Sequence, residues 1–145
     1  MKKIRYILSI VALSSLVTFM SCGDDDSSGP SDTDRLAGAW SGTSVTLDNF
    51  DVTSPEYSNF RITFNADGSY ITIDGDPVFT DTGGFWTITS SSATGLGLTL
   101  DGVAAQAAFN ADNTTLTLTF TATNEVIGAR TSGLAGSYVF SLAKQ

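Results

Sequence analysis

The run Thr115-Leu116-Thr117-Leu118-Thr119-Phe120-Thr121 puts Leu116, Leu118 and Phe120 on one face and four threonines on the other. A strict period of two is the signature of a strand with one buried face, and an α-helix cannot gather such a pattern on one side. The same alternation sets Phe60, Ile62 and Phe64 against Arg61, Thr63 and Asn65, and it lines up Leu96, Leu98 and Leu100. Ile71 and Ile73 are expected to continue the inward face after the next turn. Around Val139 both faces are apolar, because Tyr138 and Phe140 flank it. The pattern predicts about eight strands, near 38–47, 59–65, 69–74, 84–90, 95–101, 103–110, 114–122 and 136–143. No window holds a sustained i, i+3, i+4 apolar stripe, and a short helix fits only around Glu125 to Arg130.

The turns agree with an all-β reading. Phe64-Asn65-Ala66-Asp67-Gly68 recurs as Phe109-Asn110-Ala111-Asp112-Asn113, each time between two predicted strands. The fifth position calls for a left-handed backbone, which Gly adopts freely and Asn tolerates. This is the composition of a hairpin loop built on a type I turn. Many short strands with such turns predict a single antiparallel domain, either an up-and-down barrel or a sandwich. The one cysteine, Cys22, leaves no disulfide pair for an immunoglobulin-type domain.

Before the strands the chain carries an address. Lys2, Lys3 and Arg5 precede an uncharged stretch from Ile7 to Met20. A cationic start followed by an apolar run of about 7–15 residues reads as a secretory signal, whereas a membrane-spanning helix wants roughly 20. Phe19-Met20-Ser21-Cys22 resembles the bacterial lipoprotein signal, in which a small residue precedes the cysteine that is lipidated and becomes the mature N-terminus. That resemblance implies a signal peptide over 1–21, lipidation of Cys22 and membrane attachment through it. Residues 22–34 hold five aspartates among Ser, Gly and Pro and no large apolar side chain, and are expected to form a disordered tether. Asp24-Asp25-Asp26 resembles the surface-export signal of lipoproteins in the Bacteroidota, which implies the outer face of an outer membrane; a solvated acidic spacer is the plainer reading.

Residues 35–145 form the β domain, and here a second resemblance enters. Leu36-Ala37-Gly38-Ala39-Trp40 is similar to the Gly-x-Trp opening of lipocalins. The segment 36–143 resembles the lipocalin-like domains of Bacteroidota lipoproteins, including Phe64-Asn65-Ala66-Asp67-Gly68 and Gly84-Phe85-Trp86. The resemblance implies a barrel able to hold a small apolar ligand and a late arginine packed on the first Trp, for which Arg130 is the candidate. The Thr-Asp-Tyr motif of lipocalins is absent, and the domain is shorter than most of them.

Composition restricts the chemistry. There is no histidine, so no Ser-His-Asp or Cys-His unit and no imidazole metal site can form, and nothing calls for a cofactor. Glu56 and Glu125, the only glutamates, fall in predicted loops and make no paired-carboxylate sugar cleft. The expected protein is not an enzyme. Removal of 1–21 leaves four basic against fifteen acidic side chains, a net charge of −11, which speaks against nucleic acid. Asp74, Asp76 and Asp81 flank a Pro77-containing loop; oxygen-rich loops can hold Ca²⁺, but Asp with Gly is also what tight turns use. The candidate interior set is Trp40, Phe60, Phe64, Trp86, Leu98, Phe109, Leu118 and Phe120. It forms either a close-packed core, the default for protein interiors, or the wall of an apolar ligand pocket. Gly95, Gly97, Ala104, Ala105, Ala107 and Ala108 leave room on one side or permit tight packing. The loop aromatics Tyr57 and Phe79 either offer an edge to an envelope glycan or partner protein or fold back on the barrel mouth.

Overall fold

A computed structural model describes residues 29–123 and 134–145. The element order is α1 (Asp32–Leu36), β1 (Gly38–Leu47), β2 (Phe50–Asp51), β3 (Arg61–Phe64), β4 (Ser69–Ile73), β5 (Gly84–Ser92), β6 (Gly95–Leu100), β7 (Val103–Phe109), β8 (Thr115–Ala122) and β9 (Gly136–Lys144). Each strand pairs antiparallel with its neighbour in the order β1-β3-β4-β5-β6-β7-β8-β9, and β9 returns to pair with β1 along seven residue pairs. Closure makes an eight-stranded barrel, with β2 an added strand on the end of β1. The alternative of a sandwich is thereby excluded.

All eight expected strands are present within a few residues of their expected bounds. The register explains which face is inside. Leu116, Leu118 and Phe120 of β8 lie opposite Leu142, Phe140 and Tyr138 of β9, so all six point into the barrel and Val139 points outward. On β1, Trp40 and Val45 both face inward although they are five positions apart, an odd offset that would put them on opposite faces of a regular strand. A bulge between Gly42 and Ser44 restores the parity by adding one residue on that strand.

Two expectations are corrected. Ile71 and Ile73 do not continue the inward face: they are 49% and 52% exposed, while Tyr70 and Thr72 are buried. The Asn65–Gly68 turn sets Tyr70 opposite Phe64 and Thr72 opposite Ile62, and a single step of register moves every side chain to the other face. The second correction concerns the acidic segment before β1. Its last residues form a helical turn, capped by Ser31 and Asp34 in a reciprocal box: Asp34 N–H donates to Ser31 Oγ (3.1 Å) and Ser31 N–H to Asp34 Oδ2 (3.2 Å). These Ser31 hydrogen bonds hold the Asp34 carboxyl below the usual range. Leu36, at the end of this turn, is fully buried and anchors it to the barrel. The helix expected around Glu125 to Arg130 lies outside the described residues.

Both hairpins of the repeated motif close as expected. Asn65 N–H donates to Ser69 O (2.8 Å) and Gly68 has φ +87°; Asn110 N–H donates to Thr115 O (3.2 Å) and Asn113 has φ +53°. The barrel is not equally zipped all round. β4 and β5 share only two residue pairs, Ser69 with Phe85 and Tyr70 with Gly84. Asp101 clips this short seam: it accepts from Tyr70 Oη (2.6 Å) and from Phe85 N–H (2.8 Å). A Cβ at position 84 would collide with that carboxylate, which is why Gly84 stands there.

Loop 74–83 sends Phe79 into the barrel, where it is fully buried against Phe60 (5.6 Å between ring centroids), Phe120 (5.5 Å), Phe140 (5.6 Å) and Tyr70 (6.2 Å). Phe79→Ala is expected to cost about 3–5 kcal/mol of stability in denaturant titration, the range for emptying a packed aromatic site. A loss below about 1 kcal/mol would mean the loop does not fill the interior.

Candidate functional site

The candidate interior residues meet one another. Trp40, Phe60, Phe64, Trp86, Leu98, Phe109, Leu118 and Phe120 are all buried in one cluster. From Trp86, ring contacts run to Phe64 (6.1 Å), on to Tyr70 (6.2 Å) and Phe79, then through Phe140 to Phe60 (4.7 Å) and Tyr57 (5.3 Å). Some of the small residues pack closely beside this column, while Ala104 and Ala105, with Gln106, Thr119, Phe120 and Thr121, border a second surface hollow of about 370 Å³. Ala105 and Ala107 are buried, a Cβ on Gly95 would press on the Ala107 carbonyl at 2.8 Å, and one on Gly97 would collide with Ser90 Oγ. The side chains themselves fill the barrel.

The end at α1 is closed by cations stacked on aromatic rings. Trp40 Nε1–H donates to Leu36 O (2.9 Å), and its ring lies 6.2 Å from Phe109. Lys144 Nζ sits 5.2 Å from the Trp40 ring centroid, and the Arg35 guanidinium lies 4.8 Å from that of Phe109. Arg35 also donates to Ser92 O (2.9 Å), Ala93 O (3.0 Å) and Asn113 Oδ1 (3.4 Å), tying α1 to two hairpin turns. The late cation on the first Trp is therefore Lys144 among the described residues; Arg130, the sequence candidate, lies outside them.

A concavity opens at the opposite end of β1. A cleft of about 240 Å³ is lined by Leu47, Val52, Glu56, Tyr57, Pro77, Leu134 and Tyr138. Leu47 and Tyr138 are paired neighbours on β1 and β9, while loops 52–60 and 74–83 bring Val52, Glu56, Tyr57 and Pro77 over them. None of the eight interior candidates lines it. Tyr57 and Phe79 lie in loops as expected, yet neither offers an exposed edge: they are 2% and 0% exposed and fold back on the barrel.

The polar groups of the cleft are few. Tyr138 Oη donates to Leu134 O (3.0 Å). The Tyr57 hydroxyl is buried without a hydrogen-bond partner among the described residues; the Tyr138 phenol and the Val78 backbone are near it, but neither meets it with hydrogen-bonding geometry. Burial raises the pKa of Tyr57, and the neighbouring Tyr138 and then Glu56 raise it further. Burial and Asp48 raise that of Tyr138; burial and the Asp101 hydrogen bond raise that of Tyr70. All three phenols are neutral donors throughout the physiological range.

Asp74, Asp76 and Asp81 are not gathered into a metal site: the described residues contain no group of three carboxylate, thiol or imidazole side chains placed to hold an ion. Asp74 instead takes a left-handed φ of 51° at the start of the loop. Cys22 lies outside the described residues. No described helix is long and apolar enough to cross a membrane. Comparison with known proteins finds no matching family model, no matching curated protein and no matching solved structure.

The signal for the cleft was weak in the sequence. Val52, Pro77 and Leu134 stand singly in predicted loops, and only folding brings them to the end of the Leu47–Tyr138 pair.

The phenols give a pH test. Tyr57, Tyr70 and Tyr138 have folded pKa values above the unfolded value of about 10. Their contribution to stability is whole below that pH and is lost as pH rises beyond it, because the unfolded chain releases those protons more readily. On the chain without residues 1–21, which carry the fourth tyrosine, phenolate absorbance in an alkaline titration should therefore appear together with loss of the β-sheet circular dichroism. Three tyrosines ionising near pH 10 in a still-folded barrel would contradict the burial described.

Proposed function

We propose that the chain is a lipid-anchored cell-envelope protein whose barrel is a non-catalytic binding module, taking a small, largely apolar molecule at its rim. One observation carries the reading: the interior is filled by aromatic rings, while an apolar cleft of about 240 Å³ opens at the rim. A ligand held along the barrel axis, as the resemblance to lipocalins implies, would have to displace Phe79 and Phe60. The rim cleft asks for no such change.

The position of α1 supports the anchoring half. The chain enters the barrel at the end closed by Arg35, Trp40 and Phe109, at the opposite end of β1 from the cleft. Lipid on Cys22 would attach the barrel to the outer membrane through that closed end and leave the cleft at the end away from the attachment. Two or three acyl chains on one cysteine give stable attachment, whereas a single chain holds only marginally.

A specific observation favours a second reading, an interaction module that uses the sheet. Phe85 is 71% exposed beside the short β4–β5 seam, and Ile71 and Ile73 extend the apolar strip on the outer face of β4. Such a strip fits a partner protein better than a small ligand.

The anchoring is tested by fractionation. Cys22→Ala should move the protein from the membrane to the soluble fraction, and the wild type on intact cells should be cleaved by added protease. A variant that stays with the membrane would remove the lipid claim, and a protected wild type would remove the surface location.

A further inference from the structure

Four of the side chains lining the rim cleft, Leu47, Val52, Pro77 and Leu134, are apolar; its polar side chains are the carboxylate of Glu56 and the hydroxyls of Tyr57 and Tyr138. The Tyr138 hydroxyl is already engaged with the Leu134 carbonyl. The Tyr57 hydroxyl is not engaged by any described residue, although Tyr57 is 98% buried by its own exposure of 2%. A buried hydroxyl without a partner is unfavourable; its oxygen is covered in the empty cleft, so a ligand supplies the missing partner by drawing the Tyr57 ring a short way toward the cleft. The charges acting on the two phenols are negative: Glu56 on Tyr57 and Asp48 on Tyr138, with no cation among the described residues acting on either. Size sets a further limit. About 240 Å³ is below the roughly 300 Å³ at which drug-sized pockets begin, but above the roughly 150 Å³ of a cavity that takes benzene.

We propose that the cleft binds a compact primary amine, with one ring or a short chain against Leu47, Val52, Pro77 and Leu134 and its ammonium group shared between Tyr57 Oη and the Glu56 carboxylate. This rests on the reading of the rim cleft as the binding site. An ammonium donates hydrogen bonds and carries the charge that Glu56 complements, and the Tyr57 and Tyr138 rings favour it further by cation–π attraction. A neutral alcohol keeps the hydrogen bond to Tyr57 and loses the ion pair. A carboxylate of the same size meets Glu56 as a like charge.

Phenethylamine, phenethyl alcohol and phenylacetate distinguish the possibilities when titrated into the purified full chain, with backbone amide shifts of Val52, Tyr57 and Leu134 read by NMR. The amine should bind most tightly, the alcohol next and the acid least, with about a tenfold span between amine and acid at low salt. Glu56→Gln and high salt should each shrink that span toward unity, while Tyr57→Phe, which removes one oxygen and keeps the ring, should weaken the amine and the alcohol about three- to tenfold. If all three bind alike and Glu56→Gln changes nothing, the amine preference is overturned and the cleft stands as an apolar site. If none of the three shifts these amides, the rim cleft itself is overturned as a binding site, and the amine proposal with it.

Discussion

Phe79 sits where the barrel would otherwise be hollow. Its ring touches Phe60, Tyr70, Phe120 and Phe140, which come from a loop edge, β4, β8 and β9, so one loop side chain joins opposite walls of the barrel. An eight-stranded barrel has an interior just wide enough to be filled by side chains or to admit one small ligand, and this loop decides between the two. With Phe79 in place, Phe60 and Phe140 close to 4.7 Å and Tyr57 packs edge-on against Phe140 at 5.3 Å. The rim cleft is what remains outside this column, between Tyr57, Tyr138 and the ends of two loops.

The two ends of the barrel are sealed by different means. At the mouth, loops 52–60 and 74–83 bury Tyr57, Val78 and Phe79. At the other end a single helical turn lies across the opening. Arg35 reaches two hairpin turns, and Lys144 and Arg35 rest on the rings of Trp40 and Phe109. Cations are affordable there because each keeps polar contacts or solvent while its side chain covers an apolar ring. The asymmetry gives the barrel an orientation relative to whatever precedes α1, and it separates the chain's entry point from the rim cleft.

Much of the architecture was legible because alternation is a local property. β8 and β9 follow from Leu116, Leu118, Phe120 and their partners, and both Phe-Asn-Ala-Asp hairpins close as their turn chemistry requires. The parity of β4 was not legible. Ile71 and Ile73 are the more hydrophobic pair, but the Asn65–Gly68 turn places Tyr70 and Thr72 inside, where Thr72 Oγ1 finds the Thr80 carbonyl at 2.6 Å. Alternation alone cannot choose between two faces that both carry large side chains. α1 escaped because a five-residue turn held by Ser31, Asp34 and Leu36 has no periodicity to detect. The candidate interior residues were legible as a buried set, yet their use was not: the same pattern serves a pocket or a solid core, and Phe79, from a loop with no pattern, selects the core. The rim cleft draws its lining from both ends of the sequence and from two loops, so no contiguous stretch announces it.

An interior filled by its own aromatic rings leaves the rim cleft as the proposed place for a small apolar guest. Xenon-pressurised crystals test it directly, since xenon enters apolar cavities that lack a better occupant. Xenon density is expected only beside Leu47, Val52 and Leu134, with none along the barrel axis. Xenon bound among Phe60, Phe79 and Phe140 in the unaltered protein would contradict it.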